Sequence, residues 1–96
     1  MTDKKPSQLC IVTVIGDDQV GIVAKLASVM ARADVNILDI TQKVFEETFV
    51  MTMAVDVAHA TVGMDTIKRR LDRLGQQLAL KITIQDVNIF KAMHRV

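Results

Sequence analysis

Ninety-six residues, half of them hydrophobic and 24% charged, suit one globular domain and argue against disorder. Twelve Lys and Arg against eleven Asp and Glu leave a net charge of +1, too weak a field to gather nucleic acid or an anionic membrane. The single cysteine, Cys10, excludes an internal disulfide and a Cys-x-x-Cys metal site, and the absence of Trp and Tyr removes a base-stacking platform.

Residues 1–7 are polar, hold the only proline (Pro6), and read as a flexible N-terminal leader rather than a signal peptide. No apolar run approaches the roughly 20 residues that span a bilayer. The expected location is therefore cytoplasmic. The rest, 8–96, reads as one domain with a short amphipathic tail. A domain of this size buries roughly 60–65% of its unfolded surface, and oligomerisation is one common way to gain further stability.

Leu9 to Ile15 is a β-branched apolar run with apolar residues on both parities, which predicts a central strand buried on both faces. Gly16-Asp17-Asp18-Gln19-Val20-Gly21 is turn chemistry. Helical spacing follows, with Ile22, Leu26, Val29 and Ala33 on one stripe, Val23 and Met30 beside it, and Lys25, Ser28 and Arg32 opposite. Val35 to Phe45 returns to alternation: Leu38, Ile40 and Val44 on one parity, Asp39, Thr41 and Lys43 on the other. Glu46-Glu47-Thr48 is a polar break before Phe49, Met51, Met53, Val55 and Val57, so the pair reads as a hairpin. Met64, Ile67, Leu71, Leu74 and Leu78 mark a second helix. Leu80, Ile82 and Ile84 mark a last strand, and Ile89, Phe90, Met93 and Val96 an amphipathic tail.

The order β-α-β-β-α-β predicts an α+β, ferredoxin-like sandwich: a four-stranded antiparallel sheet with two helices on one face. The other face has no predicted cover. The tail either docks on its own fold or clasps a neighbouring subunit.

The Gly16–Gly21 loop joins a buried strand to a helix start, where free N–H groups attract an anion while Asp17 and Asp18 attract a cation. Together they suit a zwitterion. Equally, one aspartate caps the helix and the glycines form the turn. Ile22 and Val23 stand where a phosphate loop needs Lys and Ser or Thr, so nucleotide is excluded there. Asn36 either reads a small polar ligand or serves as a turn residue. Gln42, an amide on an apolar parity, lies near a strand end or bonds across an interface. No nucleophile–base pair is visible, and Asp17, Asp18 and Asp39 are too few ligands for a divalent cation. Neither a cofactor nor a metal is expected. Lys68, Arg69, Arg70 and Arg73 read as a solvated face balanced by Asp65 and Asp72.

Ile11 to Val23, followed by Val35 to Gln42, resembles the ACT domain. Phe49-Val50-Met51-Thr52-Met53 and the tail Ile89 to Met93 fit the small stand-alone ACT proteins of bacteria and archaea. That uncharacterised group is similar to the regulatory half of the glycine cleavage system transcriptional repressor. The resemblance implies a non-enzymatic regulatory module, most often amino-acid binding, that forms a homodimer or higher assembly by pairing side by side or face to face. It implies a ligand at the subunit boundary, held by Asp17, Asp18, Gln19, Val20, Gly21 and Ile22 on one side and Asn36 and Ile37 on the other. Gln19 and Val20 stand where the amino-acid-binding version has an arginine or asparagine and a proline. An unknown protein partner would read the ligand state, with no direct nucleic-acid or membrane contact. The alternative is a ligand-free protein–protein interaction or oligomerisation module.

Overall fold

The computed structural model describes residues 6–94; the first five residues of the expected leader and the last two of the tail fall outside it. Seven elements follow in order: β1 (Leu9–Asp17), α1 (Ile22–Arg32), β2 (Asn36–Phe45), β3 (Thr48–Asp56), α2 (Met64–Leu78), β4 (Leu80–Asp86) and α3 (Val87–Met93). The strands form one antiparallel sheet in the order β2-β3-β1-β4. The ferredoxin-like plan expected from the sequence is the observed one.

The core lies between the sheet and the two long helices. Alternate residues Cys10, Val12 and Val14 of β1 and Met51, Met53 and Val55 of β3 are buried against Leu26, Met30, Ile67 and Leu71. The other parity of β1 departs from expectation: Ile11 and Thr13 are half-buried and Ile15 is 43% exposed. A strand can be central in a sheet yet buried on one face only. Among the described residues the opposite face receives only α3, which lies against β1 and β4. The tail therefore docks on its own fold, and the expectation of a wholly uncovered second face is corrected. Asp86 caps α3 by accepting from the Asn88 N–H at 2.8 Å, and Gln85 Nε2 donates to Met93 Sδ at 3.2 Å.

Three reversals fix the frame. Val35 N–H bonds to Met30 O (2.9 Å) and Asp34 N–H to Ala31 O (3.1 Å), a Schellman stop for α1 with Asp34 in the left-handed region. The β2–β3 turn is two residues long, Glu46 (φ 48°) and Glu47 (φ 71°), because Thr48 already pairs with Phe45. Between α2 and β4 stands Ala79 alone, also left-handed. The chain turns back so sharply there that a Cβ at Gly75 would meet Leu80 O at 2.7 Å, and one at Gly16 would meet Leu80 Cδ2 at 2.6 Å.

At the sheet edge, β2 carries a bulge at Leu38, so Ile37 pairs with Val55 and Asp39 with Ala54. Opposed residues share a face, so Ile37, Ile40, Gln42 and Val44 lie on the helix side with Val55, Met53, Met51 and Phe49. The expected grouping of Leu38 with Ile40 and Val44 is broken by the extra residue. Ile40 (39%) and Val44 (52%) are exposed even so: α1 touches β2 and Ile37 packs on the core, but the cover does not extend along the strand to Ile40 and Val44. Gln42 is exposed on that same uncovered strip.

Candidate functional site

The loop after β1 is held in a definite shape. Gln19 Nε2 donates to Leu78 O at 2.8 Å, satisfying a carbonyl that the end of α2 leaves free. The Asp18 N–H donates to Glu47 O at 2.8 Å, tying the loop to the β2–β3 turn. Between these anchors Val20 is 99% exposed, an apolar side chain standing in water. Gly21, at φ 91°, is the N-cap of α1, and no side chain caps the helix. The reading in which an aspartate caps α1 is therefore not the one observed: both carboxylates are exposed and the first-turn N–H groups stay open. Ile22 is 2% exposed and belongs to the core. Asp17, Asp18, Glu46 and Glu47 gather exposed carboxylates at this end of the sheet, a setting for a cationic group beside open N–H donors.

Asn36 and Ile37 sit elsewhere. Asn36 pairs with Asp56, which pairs with Leu9, whereas Asp17 pairs with Thr48, which pairs with Phe45. The two halves of the expected site thus occupy opposite ends of one sheet, about 27 Å apart along β1 at the usual rise per residue. Within one chain they do not meet. Asp56, beside Asn36, accepts from the Gln8 and Ala58 N–H groups, each at 3.0 Å. Those bonds hold its carboxyl below the usual aspartate range.

Burial raises the Cys10 thiol above its ordinary value, and the side chain is a core residue. Among the described residues no three His, Cys, Asp or Glu side chains gather as metal ligands. His94 stacks on Phe90 with ring centroids 4.2 Å apart. No described helix is long and apolar enough to cross a membrane. Sequence reasoning did not find Leu78 O and Glu47 O as the loop's anchors, because backbone acceptors leave no mark in residue type.

The ferredoxin-like class alone admits many functions, and comparison with known proteins narrows it. The sequence profile of the ACT domain matches residues 8–85. The chain belongs to the ACT domain family. It is 45% identical over 86 residues to a UPF0237 protein of Clostridium acetobutylicum, spanning 90% of this chain and 97% of that one. The solved ACT domain protein from Streptococcus pneumoniae is 35% identical, with a TM-score of 0.75 over 93% of this chain and all of that one. A chain assigned as a glycine cleavage system transcriptional repressor shares the fold, with a TM-score of 0.74 at 15% identity, over 88% of this chain and 50% of that one. The first two of these relatives are small proteins that this chain matches over nearly their whole length.

Proposed function

We propose that this chain is a non-enzymatic sensor: two copies pair along β2, and a small ligand, an amino acid, is held at the seam. The strand register carries the proposal. β2 is an edge strand running from the Asn36 end of the sheet to the loop end. Two β2 strands related by a two-fold axis run antiparallel. Asn36 and Ile37 of one copy then come to the sheet end where the second copy carries its own Asp17–Ile22 loop. The site that one chain splits becomes joined in the pair. The ligand's carboxylate would meet the open N–H groups at Gly21 and Ile22, and its ammonium Asp17 or Asp18. Gln19 contributes by shaping the loop, since its amide is engaged with Leu78.

Ligand binding would favour one pairing geometry, and a partner protein would read it. The shift is bounded by the ligand's difference in affinity for the two geometries. Calorimetry with each of the twenty amino acids at millimolar concentration tests this. Heat is expected from one or a few, lost in Asp18→Ala combined with Asn36→Ala. Silence from all twenty would leave the interaction-module reading. That second reading draws on the exposed Leu38 and Phe45 of β2 and Ile89 and Met93 of α3, apolar side chains that a protein partner could cover without any ligand. The same double variant would spare such docking.

A further inference from the structure

The gap between α1 and α2 forms a half-open cleft of about 520 Å³, within the size range of small-molecule sites. From α1 it is lined by Lys25, Ser28, Val29 and Arg32; from α2, by Arg70, Arg73, Leu74 and Gln77. Each set follows the spacing i, i+3, i+4, i+7, so each is one continuous helix face turned to the same gap. Four of the eight are cations and none is a carboxylate. The charge of α2 is sorted accordingly. Asp72 and Lys68 border the opposite flank, above β4, and Arg69 bonds back to Thr66 Oγ1 at 3.3 Å. The basic stretch expected to be a balanced solvated face is thus divided, with Arg70 and Arg73 facing α1.

A chain of net charge +1 places a third of its twelve Lys and Arg around one cleft. Lys25, Arg32 and Arg73 are exposed and Arg70 is half-buried; like charges that share one cleft repel, and an anion between them relieves the cost. Guanidinium forks match phosphate oxygens, and Ser28 and Gln77 add neutral donors. The apolar floor, Val29 and Leu74, is too small to anchor a helix, which needs several apolar contacts along a groove. No aromatic ring lines the cleft to stack a base. Recognition must therefore run through charge held in a small volume.

We propose that this cleft binds a small molecule carrying two or more phosphate groups, with Lys25, Arg32, Arg70 and Arg73 as the anion-holding residues. It is lined from α1 and α2 rather than from the β2 edge, touches the loop after β1 only where the Lys25 side chain lies beside Gly21, and does not depend on the amino-acid reading. Inorganic tripolyphosphate and ATP serve as probes, followed by calorimetry, thermal unfolding and amide NMR shifts. The expected result is one site per chain, a raised melting temperature, and shifts concentrated on α1 and α2. Arg70→Gln with Arg73→Gln should weaken binding about tenfold or more, the loss expected when charge-assisted bonds are removed. Lys25→Gln with Arg32→Gln should do the same from the other helix, while Lys68→Gln with Arg69→Gln should leave affinity within about twofold. Absence of binding at about 10 mM tripolyphosphate, some 10,000-fold above the dissociation constant of a 1 μM metabolite site, would overturn the proposal. Equal losses in all three double variants would also overturn it, as diffuse attraction. So would tighter binding of a polyglutamate peptide than of tripolyphosphate.

Discussion

Glu46 and Glu47 both adopt positive φ in a two-residue hairpin turn, the geometry that Asn-Gly fills without strain. A side chain with a Cβ pays roughly 1–2 kcal/mol for such a backbone. Replacing the pair, Glu46→Asn with Glu47→Gly, should raise the unfolding free energy by about 1 kcal/mol, after the added chain entropy of glycine is subtracted. Urea unfolding with an unchanged slope checks this. Asp56 makes a pH-dependent contribution at the other end of the sheet. Its folded pKa is depressed by the bonds from Gln8 and Ala58. The stabilisation is therefore present above the ordinary aspartate range and is lost as pH falls through the lower folded value. Asp56→Ala should lower the melting temperature at pH 7, and its deficit against the wild type should shrink below roughly pH 4.

Among the elements, β2 stands apart. Like β4 it hydrogen-bonds on one side only, but where Leu80, Ile82 and Ile84 of β4 are buried, its apolar side chains Ile40 and Val44 reach past the cover of the helices. An edge of this kind invites pairing. Ile40→Lys with Val44→Lys should leave the monomer folded, because neither residue is in the core, and should convert the proposed β2-paired dimer to single chains by sedimentation. A dimer that survived both charges would point to the sheet face around Ile15 and Val50 as its interface instead. The short α3 sits on that face beside β4, and its exposed Ile89 and Met93 would contribute to such a contact.

At the scale of the molecule, the architecture was legible because each periodicity has one structural meaning. The α2 positions Ile67, Leu71 and Leu74 repeat at helical spacing and are buried; Phe49, Met51, Met53 and Val55 alternate and are buried. Both patterns report the side chain's own element. What they could not report is how far a neighbouring element extends. The apolar parities of β1 and β2 marked real faces, yet Ile15, Ile40 and Val44 are exposed because nothing long enough lies over them. The loop after β1 was recognisable from its glycines, but its tie to Leu78 joins residues 59 apart in sequence, and no local rule anticipates that. Likewise the distance between that loop and Asn36 depends on strand register, which a single strand's pattern does not contain. The cationic cleft needed both helices in place before Arg70 and Arg73 could be told from Lys68 and Arg69.

The bulge at Leu38 gives β2 one surplus residue. Ile37 and Asp39 already pair with consecutive residues, Val55 and Ala54. Removing Leu38 would leave an uninterrupted ladder, with every later side chain on its present face and the Glu46–Glu47 turn unmoved. Deleting any residue from Ile40 to Val44 would instead invert part of the strand. Natural variation in chain length within this strand should accordingly concentrate at a single position, where a shorter sequence straightens the edge while the surface it offers to a companion stays the same.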